Sequence, residues 1–146
     1  MAKISDIHEL IGRLSAIRAF SKDIHYNTTG CSSYGDHLLA DRIADGIQDG
    51  LDKIKENILL GNKQKVLSSK EYHKIADKYI PDITDNSTTD NFKKLHKLIV
   101  DTQARINKIS LDSSDKSLID GIGEELKNKT GILNLRITDG DREQTK

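Results

Sequence analysis

This chain has very little of what usually stiffens or staples a protein. It contains one proline, one cysteine, no tryptophan and two phenylalanines in 146 residues. A single thiol, Cys31, excludes an internal disulfide and a thiolate zinc cluster. No apolar run approaches the roughly 20 residues needed to cross a bilayer, and the first residues lack the apolar core of a secretion signal. The expected setting is the cytoplasm. Lys plus Arg and Asp plus Glu both total 23, so the formal net charge is zero. That balance argues against a chain whose main task is neutralising nucleic-acid phosphates. With so few aromatics, the interior must be built mostly from Ile and Leu. The length suits one domain with a real core.

What is present is helical periodicity. Ile4, Ile7, Ile11, Leu14, Ile17 and Ile24 recur at steps of three, four and seven, which predicts an amphipathic helix over about 3–28. Asn27-Thr28-Thr29-Gly30-Cys31-Ser32-Ser33 breaks it, with Gly30 available for a left-handed helix end. A second helix is expected over about 33–61, with Ile43, Ile47, Leu51, Ile54 and Ile58 as its core stripe. Gly46 and Gly50 lie inside it, where glycine is costly; close approach of another helix would be a reason for them. Residues 62–89 form the longest connection. Ser68-Ser69-Lys70-Glu71 is a capping-box pattern that starts a short helix there, ended before Pro81. A third long helix is expected over about 89–109, with Phe92, Leu95, Ile99, Ile106 and Ile109 inward. The fourth carries Ile119, Ile122, Leu126, Leu133 and Ile137 and is expected to reach about 137. These elements predict an all-α four-helix bundle over 1–138, with a long crossover carrying a short helix and a polar C-terminal tail over 139–146.

The most informative residues are His25, His37, Asp41, Asp52 and Glu56. Two imidazoles and three carboxylates form a mixed nitrogen and oxygen donor set suited to a redox-active ion such as iron. His37 with Asp41, and Asp52 with Glu56, are i,i+4 pairs, each on one face of a helix. Plotted at about 100° per residue, His37, Asp41, Asp45, Gln48, Asp52 and Glu56 fill a sector well away from the apolar stripe. The two pairs are 15 residues apart, roughly 22 Å along one helix. One chain therefore cannot close all of them on one ion. A shared ion requires a second copy, antiparallel across a two-fold axis. His25 lies just before the turn and His37 just after it, so a hairpin brings both to nearly the same height.

His25-Tyr26-x3-Gly30-x3-Tyr34-x2-His37-x3-Asp41 followed by Asp52-x3-Glu56 resembles the signature of Dps-type mini-ferritins, the DNA-protection-during-starvation proteins of the ferritin-like superfamily. The resemblance is specific over residues 20–60 and rests elsewhere on helix order and length. It implies a ferroxidase that binds iron at His25, His37 and Asp41 of one subunit and Asp52 and Glu56 of its mate. It further implies a hollow homo-oligomeric dodecamer, oxidation of ferrous iron by hydrogen peroxide, storage of ferric oxide and protection against oxidative damage. Tyr26 stands where the family often has Trp, and Tyr34 where Phe is usual. Met1-Ala2-Lys3 carries one Lys where many members have a Lys-rich tail, so DNA binding and nucleoid association have the least support. None of the six Glu residues has a His three positions later, which argues against the Glu-x-x-His di-iron site of other carboxylate bundles. Asp45 and Asp49 read as solvated surface rather than as an acidic approach path. His8, His73 and His96 match no part of the motif and read as surface or capping residues. Two other readings stay open: a non-catalytic bundle kept for assembly or partner binding, and a DNA-coating nucleoid protein.

Overall fold

In the computed structural model, which describes residues 4–30 and 33–144, every regular element is helical. Helix α1 (Ile4–Tyr26) and helix α2 (Ser33–Lys53) form one hairpin; α4 (Thr88–Lys108) and α5 (Ser113–Gln144) form the other. Helix α1 packs on α2, on α4 and on the short crossover helix α3 (Ser69–Asp77), whereas α2 and α5 touch only sparsely. The result is a four-helix bundle with one long crossover. Cys31 lies outside the described residues.

The apolar stripes meet in a single core. Ile7, Leu10, Ile11, Leu14, Ile17, Phe20 and Ile24 are buried from α1, and Ile43, Ile47 and Leu51 from α2. Ile4, expected to face inward, sits half-exposed at the helix start. From α4 come Phe92, Leu95, Leu98, Ile99 and Ile106, and from α5 Ile119, Leu126 and Leu133. Gly30 does adopt a left-handed φ of +94°, but in the loop four residues beyond Tyr26 rather than at the helix end.

Helix α2 does not stay α-helical to its end. It widens into a π-helical turn over Ile54–Leu59, then tightens into a single 3-10 turn, Leu60–Asn62, and stops at Lys63 with φ +58°. The core explains the widening. In an α-helix, residues five apart point about 140° apart. A turn closed by i→i+5 bonds brings them onto one face, and Ile54 and Leu59 are both fully buried.

The crossover is fastened at both ends. Ser68 caps α3 by accepting the Glu71 N–H at 3.2 Å, as the capping-box pattern predicts. Gly12 of α1 lets α3 approach closely, because a Cβ there would collide with Ile75. His8 is not a surface residue: its Nδ1 lies 3.0 Å from the Tyr72 hydroxyl, which also accepts the Leu67 N–H at 3.1 Å. Further along, the Tyr79 hydroxyl donates to Glu9, which also accepts from Arg13 and Arg105.

At the loop end of the bundle, Asp36 is buried at 3% exposure and takes two parallel hydrogen bonds from Arg136, at 2.6 and 2.9 Å. The same guanidinium donates to Thr89 at 3.0 Å and lies over the Phe92 ring. This clamp carries α5 past its expected end near 137 and through most of the segment expected to be a polar tail, to Gln144. Gly140 is buried there, and a Cβ on it would strike Thr89. At the opposite side of the fold, α2 and α5 leave a cleft of about 590 Å³ over Ile43, Ile47, Ile122 and Leu126. Gly46 opens into space and Gly50 meets Ile122 at an ordinary 3.6 Å, so neither glycine is required by close helix approach.

Two outcomes follow from these contacts. Arg136→Met strands a buried carboxylate and should cost about 3–5 kcal/mol, read as a lower urea midpoint; an unchanged midpoint would show the clamp to be idle. Burial holds the His8 imidazole below its ordinary value, with the Glu71 carboxylate partly opposing. The unfolded chain then binds the His8 proton at higher pH than the folded one, so this contribution to stability falls as pH drops below about 6.5. His8→Gln should lose less stability than the parent between about pH 7 and about pH 5, and equal losses would remove His8 from the account.

Candidate metal centre

The hairpin places His25 in the last turn of α1 and His37 in the first turns of α2, and the two imidazoles stack with centroids 3.5 Å apart. Each ring is tied to the other's backbone. His25 Nδ1 donates to the His37 carbonyl at 2.9 Å, and His37 Nδ1 donates to the His25 carbonyl at 2.7 Å. A carbonyl oxygen only accepts, so the hydrogen of each neutral ring is on Nδ1 and the lone pair is on Nε2. This is the arrangement that holds most metal-ligating histidines, with a fixed ring and a free Nε2.

Asp41, one turn after His37, lies 4.0 Å from His25 Nδ1 and accepts a hydrogen bond from Lys22 Nζ at 2.6 Å. The Lys22 hydrogen bond is the main cause holding the Asp41 carboxyl below the usual carboxylate value, and Asp41 in return raises Lys22. Lys22 was not singled out from sequence, although its position three residues before His25 places it on the same helix face. Tyr26 meets the His25 ring edge-on at 4.9 Å, and Tyr26 and Tyr34 are exposed at 74% and 76%.

The other two expected ligands stand apart. Asp52 is exposed and accepts from Gln48 Nε2 at 3.1 Å. Glu56 is exposed within the π-helical turn, a local geometry that no motif in the sequence announced. By helix rise both lie roughly 22 Å from the residues they would complement. Asp45 is exposed, and Asp49 lines the α2–α5 cleft. Among the described residues, no three His, Cys, Asp or Glu side chains converge on a point that could hold an ion. One chain thus presents two separate sets of donors: nitrogen-rich near the hairpin loop, carboxylate-only near the far end of α2. Their chemistry, imidazole Nε2 with carboxylate oxygen, suits iron and neighbouring divalent ions.

The hydrogen-bond pattern makes a direct prediction. Long-range proton–nitrogen NMR at neutral pH should find both His25 and His37 as the Nδ1–H tautomer; Nε2–H signals would contradict the assignment.

No family sequence model matches the chain, and no curated protein matches it by sequence. Among the described residues no helix is long and apolar enough to cross a membrane. Solved structures do match its fold. Dps from Microbacterium arborescens in the high iron form superposes with a TM-score of 0.64 over 92% of this chain and 91% of that one, at 13% identity. Antigen TpF1 from Treponema pallidum gives a TM-score of 0.62 at 16% identity, covering 90% of this chain and 88% of that one. The chain therefore has the Dps-type ferritin-like fold, a four-helix bundle with a long crossover.

Proposed function

We propose that this protein is a mini-ferritin: a ferroxidase that oxidises ferrous iron with hydrogen peroxide, stores the ferric product and thereby limits oxidative damage. The observation that carries the reading is the His25–His37 pair, whose reciprocal hydrogen bonds through Nδ1 leave both Nε2 lone pairs available, with the Asp41 carboxylate 4.0 Å from His25 Nδ1. Such a set is incomplete for an ion that prefers several carboxylates, and Asp52 and Glu56 are the complement it lacks. Because they are too distant on the same helix, they come from a second copy lying antiparallel, and each pair of copies builds two equivalent sites. A homo-oligomer follows, with a hollow dodecamer as the proposed form and the cytoplasm as the proposed location.

Iron is substrate here. His25 holds and orients one incoming ferrous ion through Nε2, and His37 with Asp41 takes a second, with the ring planes fixed by the carbonyls. Asp41, Asp52 and Glu56 supply hard anionic oxygen, which favours the ferric product over the ferrous reactant. Two ferrous ions and two protons reduce one peroxide to two waters, so the two-electron balance closes without release of a radical. Lys22 neutralises part of the negative charge around Asp41 while the site is unloaded. A zero formal net charge supplies no long-range pull on nucleic-acid phosphates, so DNA is not part of this proposal.

The test is an anaerobic mixture of ferrous iron and size-fractionated protein, with peroxide added and ferric absorbance followed in time. The parent should oxidise iron rapidly in a particle of about 196 kDa, twelve copies of the 16.3 kDa chain. His25→Ala and Glu56→Ala should each slow oxidation by about 100-fold or more while leaving assembly intact. Variants that oxidise iron at the parent rate would sink the assigned site. A parent that assembles yet leaves ferrous iron untouched would sink the function.

A further inference from the structure

The π-helical turn Ile54–Leu59 begins two residues after Asp52 and contains Glu56. Such turns make up well under 1% of residues and occur frequently at functional sites, and this one carries the candidate ligand Glu56 shortly after another, Asp52. On the core side its effect is to bury Ile54 and Leu59 together. On the solvent side it must also move Glu56. In a continuous α-helix, four residues would put Glu56 about 40° around the axis from Asp52. A turn closed by i→i+5 bonds rotates less per residue, so it brings Glu56 nearly into line with Asp52, one turn along.

The surroundings hold this geometry. Leu60 N–H donates to both the Lys55 and the Glu56 carbonyl, so the bonding passes from i→i+5 back to i→i+4 at that residue. Asn62 Nδ2 donates to the Ile58 carbonyl at 2.7 Å and to Asp115 of α5 at 2.9 Å, which ties the end of the turn to the opposite hairpin. Lys55 Nζ lies 5.2 Å from the ring centre of Tyr72, the tyrosine docked on His8, and not on its neighbour Glu56. Among the described residues the Glu56 carboxylate has no ion-pair partner.

We infer that the π-helical turn is a positioning device that swings Glu56 into line with Asp52, so that the two carboxylates act on one divalent metal ion. This deepens the ferroxidase reading and rests on it. Neither Leu59 nor Asn57 touches the metal; they act through the position of Glu56.

The experiment deletes Asn57, an exposed residue of the turn. The deletion leaves Asp52 and Glu56 in place and puts Ile54 and Leu59 four apart, so an ordinary α-helix can keep the core filled. Cobalt(II) is the probe, with affinity and visible absorption bands measured on assembled protein, alongside ferrous oxidation. The deletion should weaken cobalt binding by about tenfold or more, alter the bands and slow oxidation at unchanged particle size. Deleting Lys65, an exposed residue of the connection beyond the turn, should leave cobalt binding at the parent level. Asp52→Asn and Glu56→Gln form an independent arm that does not disturb the fold. Each should weaken cobalt binding and shift the same bands; a loss confined to one of them overturns the inference. A parent that binds cobalt and oxidises iron no better than the Asn57 deletion overturns the alignment alone. A parent that does neither overturns the ferroxidase reading and the alignment with it.

Discussion

The two hydrogen bonds exchanged by His25 and His37 are the constraint around which the rest of the site is arranged. Each imidazole satisfies a carbonyl on the opposite helix, so the same contacts that close the α1–α2 hairpin also fix the tautomer and plane of both rings. Structural and chemical roles are thereby joined in one pair of residues. The arrangement asks for a tight turn, which Gly30 with its positive φ helps supply, and for a common height of the two rings across the hairpin. Under the proposed function an ion would meet rings that the fold already holds, so binding would not have to order them, which removes part of the entropic cost of forming the site.

The bundle and its organisation were legible in sequence because a repeating pattern encodes them. Ile43, Ile47, Leu51, Ile54 and Ile58 announced a helix face, and all five are buried. Ser68 and Glu71 announced the start of the crossover helix through purely local chemistry. The common height of His25 and His37 followed from counting residues to a turn, whereas the stacking of their rings did not. What stayed hidden was whatever depends on a distant partner. Asp36 and Arg136 are 100 residues apart, and nothing near either one signals the other. The extension of α5 to Gln144 depends on that clamp and on Gly140 fitting against Thr89, although the sequence there is polar enough to suggest a tail. His8 looked like surface until Tyr72 arrived from the crossover. The π-helical turn left one faint trace, Leu59 directly following Ile58, which only burial of Ile54 and Leu59 together makes readable.

Sequence identities of 13% and 16% to two structures that share this fold show how little of the architecture is carried by particular residues. A bundle of this kind needs apolar stripes of the right period, caps at the right places and a connection of the right length. Ile and Leu satisfy that here almost without aromatic help. Function is another matter, since a fold of this type can host more than one activity. In this chain the candidate chemistry lies in five side chains and in the geometry of the two helices that hold them.

The Asp36–Arg136 clamp has a consequence for how the molecule is made. The histidine pair spans 12 residues and belongs to a local hairpin, so it can form as soon as α2 has been synthesised. The carboxylate of Asp36, next to His37, has no such early partner and waits for an arginine near the far end of the chain. Closing a loop of that length is slow relative to local helix pairing. The bundle end around Asp36 is therefore completed by α5, whose Arg136 makes the contact that the α1–α2 hairpin cannot make alone.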